Sequence, residues 1–193
     1  MKSFIAASAL IALASANATP TGPFTIGAWN PTTAWYGTGI NANGGGFYIG
    51  KSPSSYCPTG ITGLNCTLYP GASTVLVTGG TAPNMTVSLD VAVPGGQQVF
   101  VAPNGALSYT PPHSTFAPTG SIFDGFDRFI SNAGGGPTPL YFESNNFGAC
   151  PVTGESGVYQ VFARAVASSE TLGNCTVFEM RTYTADGVVA WEY

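Results

Sequence analysis

Apolar side chains recur at every second position from Met85 to Val93. Met85, Val87, Leu89, Val91 and Val93 are separated by Thr86, Ser88, Asp90 and Ala92. A period of two puts the two sets on opposite faces of an extended chain, so this stretch predicts a half-buried β-strand. Pro94-Gly95-Gly96 then predicts a turn, and residues 97–101 (QQVFV) a returning strand. Asn104-Gly105 favours a tight hairpin into a third strand over residues 106–110, which completes a meander. Further strands are predicted at 140–143, 158–166 and 177–184. In the last of these Phe178 and Met180 face one way and Glu179 and Arg181 the other. Asp186-Gly187 should turn the chain into a final strand ending near Tyr193.

Helical periodicity is missing outside the first residues, and 26 Gly and 15 Pro punctuate the chain at short intervals. The pattern predicts an all-β, single-domain antiparallel sandwich or barrel. A β-trefoil is the alternative, because residues 46–50 (GFYIG) and 105–109 (GALSY) read as equivalent strands. Residues 134–139 (GGGPTP) read as a loop or hinge, with too few strands on either side for two domains.

The N-terminus carries an address. Lys2 precedes a short apolar run, residues 4–14, followed by small-x-small sites ending at Ala16 and Ala18. This predicts a secretory signal peptide over residues 1–18 and a mature domain over 19–193. The run is too short to span a bilayer, no later segment is apolar enough to do so, and VVAWEY at 188–193 lacks a lipid-anchor tail. Cys57, Cys66, Cys150 and Cys175 then read as two disulfides. Three pairings exist; Cys57–Cys66 with Cys150–Cys175 joins the nearest neighbours. Sequons at Asn65, Asn84 and Asn174 predict glycosylation, whereas Pro31 disqualifies Asn30.

Composition narrows the partners. Only 7% of residues are charged, with 5 Lys+Arg against 9 Asp+Glu and a net charge of −4. Such a chain lacks the basic stripe that nucleic acid or an anionic membrane requires. The surface must instead be made polar by Ser, Thr, Asn and Gly, and cell-wall polysaccharide is the candidate partner for any aromatic ring left exposed on it. Trp29, Trp35 and Tyr36 flank a Pro-Thr-Thr segment and are candidate glycan-stacking rings, although a small β core would bury at least one of them.

Catalytic ingredients are sparse. His113 is the one histidine, next to two prolines and without an elbow motif for a serine triad. A ribonuclease-like set could draw on His113 with Glu143, Glu179, Arg164 and Arg181. Asp124 and Asp127 are the tightest acidic pair, but a spacing of three points them to opposite faces of a strand. The sequence calls for no cofactor and no metal, since Cys-x-x-Cys and calcium-loop spacings are missing. It predicts a protein that is not an enzyme, with a small hydrolase built on His113 or the Asp pair as the competing reading.

Residues 93–114 (VPGGQQVFVAPNGALSYTPPHS) are similar to a stretch in fungal secreted IgE-binding proteins. Residues 40–50 (INANGGGFYIG), Tyr56-Cys57-Pro58, 147–151 (FGACP) and 159–165 (YQVFARA) fit the same pattern. These proteins resemble the PhiA-like cell-wall proteins of moulds. The resemblance implies a secreted, wall-associated, non-enzymatic protein with a structural or protective part in conidium and phialide development. It implies a structural role for all four cysteines and carries over no catalytic residue. IgE binding would describe a host's response. A host-directed effector and a carbohydrate-binding protein are the alternative functions.

Overall fold

The computed structural model describes residues 22–128 and 137–193; residues 1–18, expected to be a signal peptide, and half of the expected 134–139 loop lie outside them. Twelve strands appear in chain order. They are β1 (Phe24–Trp29), β2 (Ile40–Asn43), β3 (Gly46–Ile49), β4 (Leu76–Gly79), β5 (Thr86–Leu89), β6 (Gln97–Val101), β7 (Leu107–Tyr109), β8 (Phe126–Arg128), β9 (Thr138–Phe142), β10 (Phe147–Pro151), β11 (Tyr159–Ala163) and β12 (Thr176–Thr184). All ladders are antiparallel. A short α-helix, α1 (Ser169–Leu172), is capped by the Ser168 side chain.

The pairings define two layers. A six-stranded barrel runs β1–β4–β5–β8–β9–β12 and closes on β1. Its β5–β8 seam is made by the bridge between Met85 and Phe126. The other six strands form three hairpins, β2–β3, β6–β7 and β10–β11. These hairpins meet edge to edge through β3–β7, β3–β11 and the Ala106–Phe162 bridge between β7 and β11. Four strands repeated three times, as a closed barrel capped by a triangle of hairpins, is a β-trefoil. GFYIG and GALSY do fall on equivalent strands, β3 and β7, with β11 as the third.

The core follows the same threefold rule. Where successive repeats meet, Leu76 faces Leu89, Phe126 faces Phe142, and Met180 faces Ala28, and all six are buried. The inward set of the predicted strand, Met85, Val87 and Leu89, joins them, as do Phe178 and Met180 of β12. The cavity left at the centre is about 10 Å³, no more than one water needs. Closure removes the free edges that an exported sheet would otherwise expose. A buried charge sits at the far end of β8. Arg128 lies 4.0 Å from the Phe24 ring centroid and donates from Nε to Thr182 Oγ1, and burial lowers its pKa to about 10.

Several elements differ from the expectation. The strand over 85–93 is regular only at Thr86–Leu89, with Met85 and Val91 held by isolated bridges. The final segment makes single bridges at Ala190 and Glu192 and no strand, while Thr138 and Pro139 of the expected loop belong to β9. The disulfides are Cys57–Cys66 and Cys150–Cys175. The first staples an exposed loop; the second ties β10 to the residue that enters β12.

Acid should stabilise this fold. Asp127 is buried on β8, its Oδ1 has no hydrogen-bond partner, and burial pushes its pKa up from 3.8 against a weaker opposing pull from the Arg128 backbone amide. Burial pushes Asp90 up as well. The folded state therefore holds protons that the unfolded state has released. The contribution is full below the ordinary carboxylate value and is lost as pH rises through the raised ones. The urea midpoint is expected to be higher at pH 4 than at pH 7, and Asp127→Asn should flatten that difference. A midpoint that falls on acidification would contradict this reading.

Candidate functional site

One face of the barrel clusters several partly exposed aromatic rings. β1 lies against β12 with Trp29 opposite Glu179, Gly27 opposite Arg181, and Thr25 opposite Tyr183. Phe24, Ile26 and Ala28 alternate with them and are buried, as are Phe178, Met180 and Thr182, so the first set points outward. After β1 the chain makes an excursion and returns. The Asn30 side chain accepts from Thr32 N and Oγ1 and donates to Val177 O. Gly37 N then donates to Ala28 O, and Ala28 N to Thr38 O. That return sets Tyr36 beside Trp29, with ring centroids 4.6 Å apart and planes near perpendicular at 62°.

Trp29 is fixed from its other side too. The Arg181 guanidinium stands 3.8 Å from its ring centroid, and Arg181 Nε lies 2.5 Å from Glu179 Oε1. A stacked cation contributes about 0.5–1 kcal/mol at a partly exposed site, and here its charge is cancelled by Glu179. Tyr141 borders the same pair from β9. Burial raises its pKa, as does Glu179, while Arg181 opposes. The result is a face that is aromatic, held in place, and neutral overall.

A groove of about 310 Å³ continues this face past Gly27, between β1, residues 37–41 and residues 73–74. Tyr183 forms one wall. A Cβ on Gly27 would lie 3.0 Å from Tyr183 Cε2, so the glycine is what lets that ring settle against the strand. Thr25, Asn41, Ser73 and Thr74 supply polar lining. The quasi-equivalent rungs elsewhere on the barrel carry Val77 opposite Ser88 and Asp127 opposite Tyr141. Neither repeats the clustered rings of the β1–β12 face.

The three rings singled out from sequence separate. Trp29 and Tyr36 share the face, whereas Trp35 is buried against Tyr159 and Phe178 at 5.7 and 5.8 Å. Glu179 and Arg181 belong to this face, whereas His113 occupies an exposed turn with φ of 56°. Asp124 is exposed on a loop while Asp127 is buried on β8, and Glu143 sits in the left-handed turn after β9. Among the described residues no group of three or more His, Cys, Asp or Glu could hold a metal. Asn65, Asn84 and Asn174 are all exposed. Tyr183, Tyr141 and Gly27 escaped the sequence reading. Tyr183 could have been found from the parity of β12, which puts it beside Glu179 and Arg181.

Fold and site together define a small, disulfide-stapled secreted β-trefoil with one aromatic, charge-neutral face. The chain belongs to the PhiA-like secreted protein family, whose model matches residues 24–193. It is 36% identical over 162 residues to an uncharacterized secreted protein of Arthroderma benhamiae, covering 80% of this chain and 76% of that protein. No solved structure matches it. Among the described residues no helix is long and apolar enough to cross a membrane.

Proposed function

We propose that this protein is a wall-associated structural or protective glycoprotein that holds wall polysaccharide on its β1–β12 face and does not cleave it. The observation that carries this reading is the Trp29–Tyr36 pair, locked by Arg181 and Glu179 and continued by the Tyr183 groove. The apolar C–H face of a pyranose prefers such rings to water, and the Arg–Glu pair offers donors and an acceptor to its hydroxyls. Neutrality suits glucan or chitin better than a charged polymer. Membership of a secreted family supports a place outside the cell. The family resemblance is what supports a part in conidium development and stress protection. Glycans on Asn65, Asn84 and Asn174 would add polar surface to a chain with few charges.

The test is retention of the purified mature protein on insoluble β-glucan, chitin and whole fungal wall, with released sugar assayed in the same tubes. Retention without release is expected. Trp29→Ala with Tyr36→Ala should weaken it at least tenfold, about 1.4 kcal/mol, while unfolding changes little because both rings are partly exposed. Unchanged retention in that variant would remove the face from the mechanism. Sugar release abolished by changing His113, Asp124 or Asp127 would make the protein a hydrolase.

A further inference from the structure

A second cleft lies where the β2–β3 turn approaches the end of β7. It encloses about 390 Å³, within the range of small-ligand pockets. Tyr56, Tyr109, Tyr193, Pro111, Pro112 and Ser54 are among its lining residues, and none of the lining side chains is Asp, Glu, Lys, Arg or His. Tyr56 is 60% exposed and stands at the mouth. Tyr109 is buried, and its hydroxyl accepts from Gly45 N at 3.0 Å, so its own proton is left for another acceptor. Burial raises the pKa of Tyr109 and takes that of Tyr193 to about 12, so both remain neutral hydroxyls at working pH.

The Tyr193 wall is fixed by a buried polar device. Gln97 is 1% exposed; its Nε2 donates to Thr110 O and Tyr193 O, and its Oε1 accepts from Tyr193 N at 2.7 Å. The Tyr193 hydroxyl also donates to Ser73 O. Rings held this way lose little freedom when a ligand arrives, which favours affinity. Flat apolar rings, prolines and hydroxyls, with no charged side chain among them, match a neutral sugar ring.

We propose that this cleft is a second saccharide site for a neutral pyranoside, making the protein bivalent and able to bridge two polysaccharide chains. The bivalent part rests on the function proposed above; the cleft itself does not. Short neutral oligosaccharides, made by partial hydrolysis of the wall glucan and chitin, serve as the probe in calorimetric titration of the intact secreted protein. Two ligands per chain are expected. Tyr56→Ala should remove one and leave the fold intact, Tyr56→Phe should keep both, and Trp29→Ala with Tyr36→Ala should remove the other. The wild type should also raise the viscosity of a soluble glucan, and either single-site variant should lose that effect while still binding. One ligand per chain, unaffected by Tyr56→Ala, overturns the second site and leaves the first. One ligand lost with Tyr56→Ala and unaffected at Trp29 and Tyr36 upholds the cleft and overturns the bridging. No binding of these fragments overturns both sites.

Discussion

Alanine at Phe126 is expected to cost about 3–5 kcal/mol, enough to remove much of the stability of a domain of this kind. Phe126 is 1% exposed and packs on Phe142 with ring centroids 5.1 Å apart. Its backbone also makes the Met85 bridge that closes the β5–β8 seam. The centre is so full that the missing ring would leave a void the barrel cannot collapse onto, because six strands are held in a closed ladder. Phe126→Leu, which keeps most of the volume, should cost less than about 1.5 kcal/mol. Equilibrium urea unfolding followed by tryptophan fluorescence reads both. A loss below 1.5 kcal/mol for Phe126→Ala would mean that the barrel is more compliant than its packing implies.

Replacing Cys150 and Cys175 together with serine should cost about 3.5 kcal/mol, against about 2.7 for the Cys57–Cys66 pair, from the entropy that each loop restores to the unfolded chain. Their surroundings widen the gap. Cys150 is buried in a second apolar cluster with Phe100, Ala106 and Phe162, and Cys175 packs against it. The Cys57–Cys66 loop instead exposes Ile61 to solvent. For a chain of this size the first change corresponds to a fall in Tm of about 7–14 °C. Calorimetry of the two double variants checks the order; a gap of only about 0.8 kcal/mol would show that loop entropy alone governs both, and equal losses would contradict the reading.

The strands most visible in the sequence were those with one covered face. β5 and β12 keep a period of two because the core lies on one side and water on the other. β10 does not: Phe147 to Cys150 are all buried, since the main core takes Phe147 and Ala149 and the second cluster takes Cys150. Four buried residues in a row leave no alternation to read. β1 was hidden by Gly27, whose missing side chain makes room for Tyr183. The trefoil repeat was faint for a related reason. Leu76, Phe126 and Met180 fill equivalent places with different shapes, so volume is shared among repeats while identity is not.

The candidate face was legible only in halves. The parity of β12 put Glu179 and Arg181 outward, and the rings at 29 and 36 stood out by type. Their meeting depends on the β1–β12 register, a pairing across most of the chain that local pattern cannot reveal. Trp35 shows the converse. Nothing in its immediate sequence separates it from Tyr36, yet the return of the chain to Ala28 buries one ring and exposes its neighbour.

Barrel closure by the first and last strands also sets a timetable. Asn30 bonds to Val177, 147 residues later, and β1 has no β12 to lie against until that stretch has been made. At about 5–20 residues per second, synthesis of the intervening chain takes roughly 7–30 s. Until then no barrel can exist, whereas Cys57 and Cys66 have a sequence separation of 9 and need only their own loop to meet. The first disulfide is thus a local event, and the closed barrel a late one.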